Sequence, residues 1–246
     1  MLVDVHSHLD YPGYKEPIDG IIKRAISTGL VAIVNCGLNK ESNRATKLLA
    51  EKHKIVKPAY GFYPTDAEKA SWQELEQELK WIKQQKPIAI GEVGMDGKHG
   101  KDMLKQELVL KRFLDLAKLL NVPIIVHSRM AEQRCIELIE ASGCSKVVLH
   151  CFTGTLQLAE RAIKNKWCFS IPPIVVYNKG FQRLVEVVPL HQLLTETDSP
   201  YLAPKPGTVN EPSNVAIVAE KIAEIKGLNV EEVKKILYLN YRREFE

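Results

Sequence analysis

Seven histidines occur in 246 residues, and four of them stand at the ends of short apolar runs. His6 and His8 lie in Asp4-Val5-His6-Ser7-His8, His127 follows Pro123-Ile124-Ile125-Val126, and His150 follows Val147-Val148-Leu149. Glu92, in Gly91-Glu92-Val93-Gly94, and Asp198, in Thr197-Asp198-Ser199-Pro200, hold comparable places. A lone histidine at such a position is more often a satisfied core residue than a ligand. Four of them with two carboxylates reverse that balance, because ionisable groups buried together without a cation are very costly. Six ligands exceed what one tetrahedral zinc takes, so two divalent ions sharing a bridging carboxylate are expected, with Glu92 as the bridge. Imidazole mixed with carboxylate suits Zn, Mn, Co, Ni or Fe; Mg prefers an all-oxygen shell and is the weakest candidate. The chemistry of such a pair is hydrolysis by an activated water. Asp198 and Glu92 are then the catalytic carboxylates, with Asp198 orienting the water or accepting its proton.

The elements that would position these residues can be read from the pattern of apolar runs. Short runs rich in Val and Ile, bounded by Gly, Pro or polar residues, span 2–8, 31–37, 56–64, 87–94, 123–129, 146–152, 168–174 and 193–200. That is how strands buried on both faces of a parallel sheet read. Amphipathic segments separate them at 18–29, 40–53, 71–85, 102–121, 131–142, 155–165 and 179–188, followed by 213–226 and 230–241. Ser71 and Asp102 are expected N-caps. Eight strand–helix repeats predict an α/β fold, a (β/α)8 TIM-like barrel with an extra C-terminal helix, as one domain over 1–246. An open doubly wound sheet, the main rival, gives no reason for polar residues at so many strand ends. In strand 2–8, residues two apart have Cα atoms roughly 6.5 Å apart on one side, so His6 and His8 can converge on one ion. All six candidates then share the rim where barrel active sites form.

Composition bounds the rest. Hydrophobic residues make up 45% and charged residues 26%, as in ordinary globular proteins. A net charge of +4 from 34 basic and 30 acidic residues permits a phosphate-bearing partner without arguing for one. Five cysteines at 36, 135, 144, 151 and 168 form no CxxC pair, so reduced thiols in a cytoplasmic protein are expected. The first residues show no signal-peptide pattern, and no apolar run nears the ~20 residues that cross a bilayer. No membrane association and no obligate protein partner are expected.

The ordered set of motifs resembles the TatD-type metal-dependent deoxyribonucleases of the amidohydrolase superfamily nearly end to end. It comprises Asp4-Val5-His6-Ser7-His8-Leu9-Asp10, Gly91-Glu92-Val93-Gly94-Met95-Asp96, His127-Ser128-Arg129, His150-Cys151-Phe152-Thr153-Gly154, Thr195-Glu196-Thr197-Asp198-Ser199-Pro200-Tyr201-Leu202 and Asn210-Glu211-Pro212. The resemblance implies hydrolysis of phosphodiester bonds in DNA, as single strands or at strand ends. It also implies that His6, His8, Glu92 and Asp198 hold one ion and that Glu92, His127 and His150 hold the other. Three departures touch the substrate side. Gly61-Phe62-Tyr63-Pro64 stands where the family usually has Gly-x-His-Pro, Met130 replaces an aspartate after His-x-Arg, and the usually basic loop 204–209 keeps only Lys205.

Arg129, Tyr63 and Lys205 are the candidate substrate contacts. Arg129 could meet a phosphate or form a salt bridge, while Lys98, Lys101 and Lys205 read as solvated lysines before they read as phosphate ligands. Tyr63, Phe152 and Tyr201 could stack on a base or simply pack. Asp4 reads as a supporting group. An alternative is an amidohydrolase or esterase acting on a cyclic amide, an ester or an aminoacyl-tRNA. Binuclear relatives of that kind often bridge through a carbamylated lysine, and 88–94 contains none. A catalytically inactive barrel serving as a binding module is the third reading, disfavoured by the full set of six ligands.

Overall fold

The computed structural model describes residues 1–246. Eight strands run in sequence order around one parallel sheet: β1 (Leu2–Ser7), β2 (Leu30–Cys36), β3 (Val56–Tyr60), β4 (Ala89–Gly94), β5 (Ile124–His127), β6 (Val147–His150), β7 (Cys168–Ile171) and β8 (Leu193–Thr195). The barrel closes between β8 and β1 through a parallel Ser7–Ser199 bridge rather than a full ladder. His8 N donates to the Ser199 carbonyl (2.8 Å) and Asp198 N to that of His6 (2.9 Å). The predicted (β/α)8 barrel is the fold.

Ten helices cover it: α1 (Ile18–Ser27), α2 (Lys40–Lys52), α3 (Pro64–Lys69), α4 (Trp72–Gln85), α5 (Met103–Leu120), α6 (Glu132–Ser142), α7 (Leu156–Lys164), α8 (Lys179–Val187), α9 (Val215–Lys226) and α10 (Val230–Phe245). Ser71 and Glu74 form a capping box at α4, and Asp102 accepts from Lys105 N at α5, as their positions predict. The expected strands run too long, most clearly the third, fifth, sixth, seventh and eighth. The third stops at Tyr60, and Pro64, well suited to the first position of a helix, opens the unanticipated α3. The seventh stops at Ile171, because Pro172 and Pro173 offer no N–H to a ladder. The eighth ends at Thr195, so Asp198 lies in the following loop with a left-handed backbone (φ 52°). The last helix extends past 241 to Phe245.

Apolar residues sort into a layer between barrel and helices and a smaller cluster inside the barrel. Ile125, Val148 and Leu194 face inward, so alternation carries His127, His150 and Glu196 inward as well. β1 and β4 break this rule. Val3 and Val5 belong to the inner cluster, and Ile90 to the outer layer, so regular alternation would aim His6 and Glu92 at the helices. The pairing register shifts between Asp4 and Ser7 in β1 and between Ile90 and Val93 in β4, and both side chains turn to the barrel axis. At the other end, Tyr241 and Phe245 of α10 join the inner cluster and close the barrel floor. Asn240 fixes that helix by donating to the carbonyls of Leu190 and Leu193 (2.8 Å each).

Candidate metal centre

The six sequence-predicted ligands meet at the open mouth. His6 Nε2 and His8 Nε2 are 3.1 Å apart, and both approach Glu92 Oε2 (3.4 and 3.3 Å) and Asp198 Oδ1 (3.6 and 3.3 Å). The other oxygen of Glu92, Oε1, faces His127 Nδ1 (2.8 Å) and His150 Nε2 (3.8 Å). The rings of His6 and His150 stack at 3.6 Å. His6-His8-Asp198 and Glu92-His127-His150 each bring their ligand atoms within 4.8 Å of one another.

The hydrogen bonds behind these residues test whether a cation fits. His8 Nδ1 lies 2.9 Å from the Cys36 carbonyl, which can only accept, so the proton sits on Nδ1 and the Nε2 lone pair points at the centre. His150 Nδ1 lies 2.7 Å from Glu196 Oε2, with the same result. His127 Nε2 faces the Tyr63 hydroxyl (3.3 Å) and Asp96 Oδ2 (3.6 Å), leaving Nδ1 toward Glu92. The centre is therefore lined by imidazole lone pairs aimed at carboxylate oxygens, an arrangement that needs positive charge between them. Orientation of ligating histidines by carboxylates and carbonyls is the usual support of a metal site. Zinc-like divalent ions suit this donor set.

In the absence of a cation, protons supply that charge. Burial alone would lower His127, but Asp96 and Glu92 hold it up at about 9. Burial pulls His6 and His150 down, with neighbouring imidazoles adding to the effect. Burial would raise Glu92, yet His6, His127 and His8 keep its carboxyl well below the ordinary range.

Several supporting residues lay inside quoted motifs without an assigned role. Glu196 is buried and accepts from His150, from Ser170 Oγ (2.5 Å) and from Cys151 N (3.0 Å). A charged residue two places beyond inward-facing Leu194 was the signal for it. Asp96 accepts from Tyr63 (2.9 Å) and from the backbone of Lys98 and His99 (2.8 Å each), which anchors the loop behind His127. Asp4 behaves as the supporting group expected of it, accepting from His6 N (3.2 Å), Thr197 N (2.9 Å) and Thr197 Oγ1 (2.5 Å). Asn210 donates to the carbonyls of Thr197 (2.8 Å) and Tyr201 (2.7 Å), bracketing the turn that carries Asp198.

A cavity of about 400 Å³ opens above the centre, lined by His8, Leu38, Tyr63, Glu92, His127, Arg129, His150, Asp198, Tyr201 and Leu202. Arg129 is exposed just past the end of β5 and is the one Lys or Arg of that lining. Tyr63 is also there, with its hydroxyl committed to Asp96. Lys205 lies on the exposed 204–209 loop and is not part of the lining, while Met130 is 70% exposed outside it.

The TatD related DNase family matches residues 3–246. The chain belongs to this family. Deoxyribonuclease TATDN3 of Homo sapiens is 35% identical over 253 residues, spanning 97% of this chain and 92% of its own length. An uncharacterized metal-dependent hydrolase of Methanocaldococcus jannaschii, MJ1582, is 37% identical over 240 residues, 97% of this chain and 94% of its own. The crystal structure of YJJV, a TatD homologue from Escherichia coli, superposes with a TM-score of 0.92 at 28% identity, covering 99% of this chain and 97% of that one. As a TatD-family member, the chain is a metal-dependent hydrolase, and the amidohydrolase or esterase alternative is not favoured. No helix is long and apolar enough to cross a membrane.

Proposed function

We propose that this TatD-family enzyme hydrolyses phosphodiester bonds in DNA, acting on single strands or strand ends, with two divalent ions at the barrel mouth. One observation carries the two-ion reading: the oxygens of Glu92 are divided between His6 and His8 on one side and His127 and His150 on the other. His6, His8, Glu92 and Asp198 would hold one ion, and Glu92, His127 and His150 the second. Divalent ions there would supply Lewis-acid polarisation of a phosphoryl oxygen and a lowered water pKa.

The chain's own groups do the rest. Asp198 is the least enclosed carboxylate of the centre and lines the cavity, so its carboxylate can orient the attacking water and take its proton. Arg129, in the cavity lining, would pair with a non-bridging phosphate oxygen, a contact that suits a guanidinium fork. Leu38 and Leu202 add apolar surface to the cavity lining. Five scattered cysteines, four of them buried, support a reducing cytoplasmic setting.

The test is Asp198→Asn in metal-reconstituted protein, assayed on labelled single-stranded DNA and on a panel of esters and amides, with and without chelator. Cleavage of DNA alone, abolished by chelator, is expected. The variant should lose at least about a hundredfold in kcat, the scale of one general base, while keeping its fold and most of its metal. Retained turnover would overturn the role of Asp198, and ester or amide hydrolysis without DNA cleavage would overturn the substrate class.

A further inference from the structure

Two tyrosines outside the ligand set stand on turns that follow the ligands His8 and Asp198: Tyr201 lines the cavity over the metal centre, and Tyr11 packs against it from an adjoining hollow shared with Leu9, Asp10 and Tyr14. Tyr11 lies three residues after His8 and its N–H donates to the His8 carbonyl (3.1 Å); Tyr201 lies three residues after Asp198 and donates likewise to Asp198 (2.9 Å). The rings come from the loops after β1 and β8, which are neighbours at the barrel seam, and their centroids are 5.4 Å apart at a 58° tilt. Both remain in contact with solvent, 39% and 46% exposed, although Tyr201 also lines the cavity.

The packing of the two loops is built in. A Cβ on Gly13 would lie 3.0 Å from Pro200 Cγ and 3.3 Å from Tyr11 Cδ1, so the two loops pack closely at this point. The exposed ring of Trp72 is covered differently. Trp72 on α4, 43% exposed, carries Lys105 and Arg112 over its ring at 5.7 and 5.9 Å. The partly exposed Tyr11 and Tyr201 rings lean on each other, and Tyr201 shares the cavity lining with Asp198.

We propose that Tyr11 and Tyr201 form a stacking platform for an unpaired base of the strand whose phosphate occupies the metal centre. The proposal rests on the nuclease reading and deepens it, because a base can reach such rings only when it is free of a complementary strand. Stacking on π-faces is tolerant of base identity, so the platform selects single-stranded character rather than sequence. Arg129 from the β5 loop and the tyrosines from the β8 and β1 loops then hold backbone and base from different sides of the mouth.

The experiment compares Tyr11→Ala and Tyr201→Ala with Tyr11→Phe, Tyr201→Phe and Trp72→Ala, all metal-loaded. The substrates are a short oligodeoxythymidylate and the same strand with abasic residues around the scissile bond. Each alanine variant should raise KM on the base-bearing strand about tenfold, within the range of losing one base–aromatic stack, with a much smaller change in kcat. The phenylalanine variants should restore KM, because the ring and not the hydroxyl makes the contact, and Trp72→Ala should behave as wild type. On the abasic strand, wild type should already show the raised KM and the alanine changes should add nothing. Unchanged KM in both alanine variants, or equal losses on both strands, would overturn the platform. If wild-type protein cleaves no nucleic acid, the nuclease reading fails. Anisotropy of the labelled oligodeoxythymidylate on the Asp198→Asn protein then decides the platform separately, through loss of binding on adding the tyrosine-to-alanine changes.

Discussion

Three donors converge on Glu196, the ring N–H of His150, the hydroxyl of Ser170 and the backbone N–H of Cys151, and an ionised carboxylate meets all of them as an acceptor. With no cation at the centre, burial pushes this carboxyl up to about 8, against the pull of His6 and of the Ser170 and Cys151 bonds; a cation on His150 would favour the ionised, accepting form. Glutamine has almost the same shape but only one accepting oxygen, and its NH2 would face a donor. Glu196→Gln should therefore free the His150 ring to rotate or change tautomer and lower metal affinity by roughly 10–100-fold, the usual scale for residues that orient a ligating histidine. The fold should survive, since the substitution leaves no cavity. Competition titration against a chromophoric chelator measures the change; unchanged affinity would show that His150 is held by packing alone. Tyr63 is a related case. Its hydroxyl is bound to Asp96 beside His127, so the phenol that stands in place of the family's imidazole supports a ligand as well as bordering the cavity.

At the level of elements, the mouth and the floor of the barrel are built by different means. The floor depends on α10, where Tyr241 is almost wholly buried, stacked on Phe245 (5.2 Å) and in contact with the inner ends of the strands. Tyr241→Ala should cost about 3–5 kcal/mol in urea denaturation, as large aromatic truncations in a core do. Because the metal centre is at the opposite end, metal affinity of the folded variant should stay within a factor of about two to three, inside the range of additive, distant sites. A stability loss no larger than that of a surface change would contradict the plug. The strand–helix order and the caps at Ser71 and Asp102 were legible because apolar alternation and capping chemistry are local. So was the inward aim of His127 and His150, which continue the alternation of Ile125 and Val148. His6 and Glu92 were legible only as motif residues. Simple alternation sends both toward the helices, and the register shifts that redirect them arise from pairing with neighbouring strands distant in sequence. The apolar pattern puts Asp198 at a strand end, but the strand stops at Thr195 and a left-handed turn bracketed by Asn210 presents it.

For the molecule as a whole, the mouth concentrates charge that the fold must accommodate whether or not a cation is bound. Glu92, His6, His8 and His150 are all buried there, with Asp4, Asp96 and Glu196 packed just behind them. In the unfolded chain these ligands are scattered from residue 6 to residue 198 and cannot bind an ion together. A metal that binds the folded state alone stabilises it by RT ln(1 + [M]/Kd), about 2.7 kcal/mol at a hundredfold excess over Kd. For a chain of this length each kcal/mol moves Tm by roughly 2–4 °C, so chelation should lower Tm by about 5–10 °C and readdition should restore it. Scanning fluorimetry at several free-metal concentrations provides the check, and the shift should grow with the logarithm of concentration. Glu92→Gln removes the charge shared by both halves of the centre. Its Tm should become nearly insensitive to metal, while Tyr201→Ala, which keeps the backbone bond to Asp198 and removes no ligand atom, should keep the wild-type response. A Tm independent of metal in the wild-type protein would mean that protons on the imidazoles alone balance the buried carboxylates, and the assignment of the mouth as a metal centre would fall with it.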